Sequence, residues 1–140
     1  MAHDPALVGE VAALLFDVVE RARQVYGEAY RAEGLTELQW LVLRRLRQER
    51  EAPPIGQLAA WLDTEPPTVT ALVDRLQARG LLERRADEAD RRVRRIHLTA
   101  AAETALERID SHAASGSPCR ELGAGELAEL RNLLIRMRRD

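Results

Sequence analysis

The sequence predicts a mostly α-helical fold carrying one small β element of two to three strands. Three observations predict it. Apolar residues recur at i, i+3, i+4 spacing through most of the chain. Alternation with a period of two is confined to residues 81 to 99. Glycine and proline fall between the helical patterns, at Gly34, at "APP" (52–54), at Gly80 and at "GSP" (116–118).

The elements follow in order. Residues 7 to 31 carry one apolar stripe at Leu7, Val11, Leu14, Val18 and Val25, and a second at Leu15, Val19, Ala22 and Tyr26. One stripe covers a helix's own domain, so the second implies a further partner, expected to be another subunit. Gly34 stops this helix and Thr36 caps the next, whose apolar face is expected to be Leu38, Leu41, Val42 and Leu46 with Trp40 to one side. "IGQLAAWL" (55–62) is a short helix burying Ile55, Leu58, Ala59 and Leu62. After "DTE", the segment "PPTVTALVDRLQARG" starts another helix, its two prolines tolerated where amides lack intrahelical partners.

"LLERR" and "VRRIHLT" then alternate as strands, with Ile96 and Leu98 on one face and Arg95 and His97 on the other, joined by "ADEAD". Thr99 caps "AAAETALERIDSHAAS", and "AGELAELRNLLIRMRR" is a final amphipathic helix on Leu127, Leu130, Leu134 and Met137.

Composition narrows the function classes. A chain of 140 residues, 46% hydrophobic and 31% charged, is one domain with an ordinary core. Its only cysteine is Cys119, which excludes an intramolecular disulfide, and His3, His97, His112 and Cys119 contain no close metal-type pair. No metal or cofactor is therefore expected. No apolar run reaches the ~20 residues of a membrane span, and "MAHDPALVGE" lacks a signal peptide's basic start, so the expected location is the cytoplasm. Neither a phosphate-cradling glycine loop nor a nucleophile elbow is present, and no enzymatic activity is expected.

The net charge of −2 conceals a division: residues 1 to 65 carry 7 Arg and 11 acids, residues 66 to 99 carry 8 and 5, and residues 100 to 140 carry 6 and 7. A locally basic middle on an acidic chain points to docking of a polyanion. Six of its arginines and three acids sit in "RRADEADRRVRR", residues 84 to 95.

Helix, three-residue turn, helix and arginine-bearing hairpin form the layout of a winged helix-turn-helix. The segments "GLTELQWLVLRRL", "IGQLAAWLDTEPPTVTALVDRLQARGLLERR" and "DRRVRRIHLT" together resemble the MarR family of bacterial transcription regulators over residues 34 to 100. The resemblance implies a single MarR-like domain over 1–140. Residues 34–100 would form the DNA-binding winged region, and residues 1–33 and 101–140 would form dimerisation helices. It also implies a homodimeric, ligand-responsive repressor acting on a pseudo-palindromic operator in double-stranded DNA. The alternative is a winged-helix module that binds proteins and no operator.

In the recognition segment, Val69, Leu72, Val73 and Leu76 face inward, leaving Thr68, Thr70, Ala71, Asp74 and Arg75 outward. Thr68, Thr70 and Ala71 are the base-facing candidates, and Arg75 a further DNA contact. Arg84, Arg85, Arg94 and Arg95 are expected near phosphates, Arg91 as a further DNA contact, and Arg92 in the minor groove. Asp90 is expected to orient the wing by accepting hydrogen bonds from Arg75 or from loop amides. Many relatives have a polar or basic residue where this chain has Ala71 and a small polar turn where it has "DTEPP". Pro66, Pro67, Asp63 and Glu65 thus weaken a phosphate clamp there, so heavier reliance on the wing is expected. The resemblance further implies a crevice for a small aromatic or phenolic effector, with Tyr26, Tyr30, Trp40 and His112 as its candidate lining.

Overall fold

The structure is a computed structural model and describes residues 4–138; His3 lies outside the described residues. The chain forms α1 (Pro5–Ala32), α2 (Glu37–Gln48), α3 (Ile55–Leu62), α4 (Pro66–Ala78), β1 (Leu82–Ala86), β2 (Arg94–Leu98), α5 (Ala100–Ala114) and α6 (Ala124–Met137). A 3₁₀ turn at Pro118–Glu121 precedes α6, where the sequence suggested only a break. Its start is capped by the Ser117 hydroxyl, which accepts from the Cys119 amide at 3.2 Å. No helix among the described residues is long and apolar enough to cross a membrane.

The chain divides into two compact units. One comprises residues 1–29 and 110–140 and holds most of α1, the end of α5, and α6. Within it Gly116 approaches Val25 so closely that a Cβ there would lie 3.2 Å from a Val25 methyl. Leu7, Val11, Leu14, Phe16, Val18 and Val19 on α1 are exposed, as are Leu127, Leu133, Leu134, Ile135 and Met137 on α6.

The other unit, residues 30–109, contains the winged region. Its α2 begins with a reciprocal cap: the Thr36 hydroxyl accepts from the Gln39 amide at 3.2 Å, and the Gln39 side chain accepts from the Thr36 amide at 3.0 Å. The buried face of this helix differs in part from the expected one. Gln39, Val42, Leu43 and Leu46 face the core, and Leu38, expected inside, is 37% exposed. In α3 only Leu58 is fully buried; Ile55, Ala59 and Leu62 are half-buried. Val69, Leu72, Val73 and Leu76 bury the inner face of α4 as their spacing requires.

Gly80, at φ 72°, turns the chain out of α4 into an antiparallel hairpin in which Leu82 pairs with Leu98, Arg84 with Ile96, and Arg85 with Arg95. A third, minimal strand contact comes from the α2–α3 linker, where Pro54 bridges Arg95 and the Pro53 carbonyl accepts from the Ile96 amide at 2.9 Å. Thr99 caps α5 by accepting from the Ala102 amide and donates its hydroxyl to the Gly80 carbonyl. Arg79, just past α4, donates to the carbonyls of Gly34 at 2.7 Å and Glu33 at 2.9 Å, fastening the end of α4 to the α1–α2 turn.

Candidate nucleic-acid interface

The α3–α4 turn fixes how the outer face of α4 is presented. Asp63 closes α3 in the left-handed region, at φ 46° and ψ 49°, and the Thr64 amide returns to the Ala59 carbonyl at 3.2 Å. Glu65 then occupies the N-cap of α4 without a side-chain capping bond, followed by Pro66 and Pro67. Prolines have no N–H, and the next two amides, of Thr68 and Val69, both donate to the Glu65 carbonyl at 3.1 and 3.3 Å. The start of α4 therefore presents no free amide to an anion, and two carboxylates lie beside it. Thr68, Thr70, Ala71, Asp74 and Arg75 are all exposed. The Thr70 hydroxyl donates back to the Pro66 carbonyl at 3.1 Å, which commits its proton to the helix and leaves the oxygen as an acceptor.

The wing sorts its arginines into two groups. Arg84 lies on the face of β1 shared with Leu82 and reaches back over α4, donating to the side chains of Asp74, at 2.5 Å, and Gln77. Arg85 pairs with Glu83. Arg95 donates from Nε to Asp87 at 2.6 Å and from Nη1 to the Ala52 carbonyl at 2.7 Å. The guanidiniums of Arg84 and Arg95, which the sequence placed near phosphates, are thus engaged by the protein itself. Arg75, Arg91 and Arg94, by contrast, are exposed and have no ion-pair partner among the described residues.

Arg92 has a 90% exposed side chain at the tip, yet its direction is set by Asp90. The Asp90 carboxylate accepts from the Arg92 amide at 3.1 Å, from Nε at 3.0 Å and from Nη2 at 3.1 Å. Asp90 thus takes a loop amide, as expected, but Arg92 rather than Arg75 supplies the guanidinium. The loop is braced further by Asp87, which accepts from the Asp90 amide at 3.0 Å and whose own amide donates to the Val93 carbonyl at 2.9 Å.

Electrostatics agree with this geometry. The hydrogen bond from Arg95 and then that from the Asp90 amide hold the Asp87 carboxyl below its ordinary value, and hydrogen bonding from the Arg92 side chain and then from its amide does the same for Asp90. His97, at the base of the wing, is pushed down by burial and then by the Arg85 charge, so the neutral ring is favoured. It borders a cavity of about 430 Å³ with Glu51, Arg85, Asp87 and Arg95.

Of the four candidate effector residues, Tyr30 and Trp40 stack at 5.3 Å between centroids, and Arg44 covers the Trp40 ring at 5.0 Å. Tyr26, half-buried, and His112, exposed, belong to the first unit. Sequence reasoning missed a separate groove of about 390 Å³ between α2 and α3, floored by Leu41, Val42 and Leu62 and walled by Arg44, Arg45 and Trp61. Trp61 and Arg45, whose guanidinium lies 4.9 Å above the indole, were the available signal.

A sequence model of the MarR family matches residues 35–93. Among solved structures, the transcriptional regulator PA3341 is 30% identical, with a TM-score of 0.68 over 91% of this chain and 94% of that one. CouR from Rhodococcus jostii RHA1, solved with p-coumaroyl-CoA bound, is 24% identical with a TM-score of 0.67, covering 94% and 93% of the two chains. A mutant of MepR from S. aureus, solved with a bound oligodeoxyribonucleotide, is 21% identical with a TM-score of 0.65, covering 91% and 94%. Helix, turn, helix and wing, in this order and with these relatives, make the chain a member of the MarR family of winged-helix transcription regulators.

Proposed function

We propose that this protein is a sequence-specific DNA-binding repressor that acts as a homodimer on a pseudo-palindromic operator in the bacterial cytoplasm. The observation that carries the reading is the pairing, within one unit, of an outward α4 face at Thr68, Thr70 and Ala71 with a wing presenting Arg91, Arg92 and Arg94 to solvent. Cationic side chains supply affinity through phosphates and the minor groove, while methyl and hydroxyl groups on the helix read base edges. Residues 34–100 form the DNA-binding region and residues 1–33 and 101–140 the dimerisation helices. The exposed leucines, valines and Phe16 of α1, with the apolar face of α6, supply the surface that a second copy covers.

A small aromatic or phenolic effector modulates binding, a reading supported by the Tyr30–Trp40 stack and by the CoA thioester held by CouR. The reading assigns no enzymatic step and no cofactor to the chain.

Selection from randomised duplexes tests the central statement. The expected product is a two-fold symmetric motif whose half-sites lie about one helical turn, ~34 Å, apart. A protein that enriches no motif would fit the second reading, a protein-interaction module, which the acidic, proline-blocked start of α4 favours.

A further inference from the structure

We infer that Arg95 is a positioning residue, which fastens the wing to the α2–α3 linker and to its own loop so that Arg92 is held in line with the groove that α4 addresses. The inference rests on the DNA-binding reading above.

The arginine sits where a hairpin should not tolerate it. Arg85 and Arg95 are directly opposite one another in the antiparallel register, and like charges in that relation repel. Each is met by an acid on the same face: Glu83 takes Arg85, and Asp87, one position beyond the end of β1, takes Arg95. Neutralising the pair would require only the acid. Arg95 does more, because its second donor reaches 43 residues back along the chain to the Ala52 carbonyl.

That single guanidinium thus joins three pieces: strand β2, the wing loop through Asp87, and the linker ahead of α3. The backbone follows the same line, with the Pro54–Arg95 bridge and the bond from the Ile96 amide to the Pro53 carbonyl beside it. Asp87 passes the restraint on, since its other carboxylate oxygen accepts from the amide of Asp90, the residue that orients Arg92. The chain of contacts therefore runs from Ala52 through Arg95, Asp87 and Asp90 to Arg92.

The side chains of Asp87 and Arg95 are only 19% and 33% exposed. This enclosure suits a clasp better than a phosphate contact, which needs the guanidinium at the surface.

Asp87→Asn separates the two roles by the sign of its effect. Removing a negative charge from the wing tightens DNA binding if charge alone matters, and tightens it further if Arg95 is released to a phosphate. A clasp predicts the reverse: the carboxamide oxygen of the substituted side chain can still accept from the Asp90 amide, but the wing loses its charged tie and binding weakens about fivefold or more, within the range of couplings in such networks.

The test measures operator affinity by fluorescence anisotropy across a salt series for the full chain and for Asp87→Asn, Arg95→Leu, Arg92→Ala and Arg95→Leu/Arg92→Ala. Circular dichroism reports folding, and if Arg95→Leu fails to fold, Asp87→Asn carries the test alone. The expected result is weakening in both clasp variants, with Arg92→Ala costing Arg95→Leu much less than it costs the parent. Tighter binding by Asp87→Asn, unchanged binding by it, or additive losses from Arg95 and Arg92 would overturn the inference alone. A parent protein that binds no duplex overturns the DNA reading and the inference with it.

Discussion

Replacing Arg92 with alanine removes a highly exposed guanidinium of the wing tip while leaving the loop's other braces, from Asp87 to the Asp90 amide and from the Asp87 amide to the Val93 carbonyl, in place. In a symmetric dimer the substitution withdraws two cations. An arginine in the minor groove displaces counterions much as one at a phosphate does, contributing about 0.9 to the slope of log K against log salt, so the slope should become shallower by about 1.8. Between 50 and 200 mM salt that difference amounts to roughly a tenfold smaller loss of affinity. Thr68→Ala, by comparison, removes an uncharged hydroxyl and a methyl from a helix start that offers no amide to a phosphate. Its slope should match the parent's, and its affinity should fall only about threefold to tenfold, as for one modest base contact. Fluorescence anisotropy with one labelled operator at four or five salt concentrations reads both quantities. An unchanged slope in Arg92→Ala, or a larger affinity loss in Thr68→Ala than in Arg92→Ala, would refute the argument that this protein leans on its wing.

Asp63→Asn keeps a residue tolerant of the left-handed conformation at φ 46° and removes a charge near the start of α4. It should leave the melting temperature nearly unchanged and tighten DNA binding, which titration against the same duplex checks. Thr36→Ala breaks the reciprocal cap of α2 and should cost about 1 kcal/mol in urea unfolding, with Gln39→Ala giving a similar loss. Leu76 is fully buried on the inner face of α4, so Leu76→Ala should lose about 2 to 5 kcal/mol by the same assay. His97 has its folded pKa below 6.5, so the unfolded chain binds the extra proton first. Its contribution to stability is complete above pH 6.5 and is lost as pH falls through the lowered folded value. Melting temperatures of His97→Gln should therefore decline less than the parent's between about pH 7 and 5.

The inner face of α4 was legible because Val69, Leu72, Val73 and Leu76 are all strongly apolar and nothing competes with their period. The face of α2 was not, for a physical reason. Counting apolar residues favours Leu38, yet the cap commits the polar end of Gln39 to the Thr36 amide and lets its methylenes join Val42, Leu43 and Leu46 inside. The wing was visible as a hairpin from its alternation, and Asp90 as its orienting acid. Which arginines are free was hidden, because the partners of Arg84 and Arg95 include Asp74, Gln77 and Ala52, which only tertiary structure brings near. Part of the clasp could have been read: in a hairpin with Arg85 opposite Arg95, an acid two residues beyond Arg85 falls on their shared face.

Recognition of an operator by a dimer, with arginines of the wing supplying much of the affinity, can be measured directly. The most direct measurement is fluorescence anisotropy of the purified protein against duplexes tiled across the region upstream of its own gene, at two salt concentrations and beside unrelated DNA. Tight binding to one tile, weakened by salt and saturating at two subunits per site, is the expected result. Equal, weak binding to every duplex, or saturation by a single subunit, would contradict it.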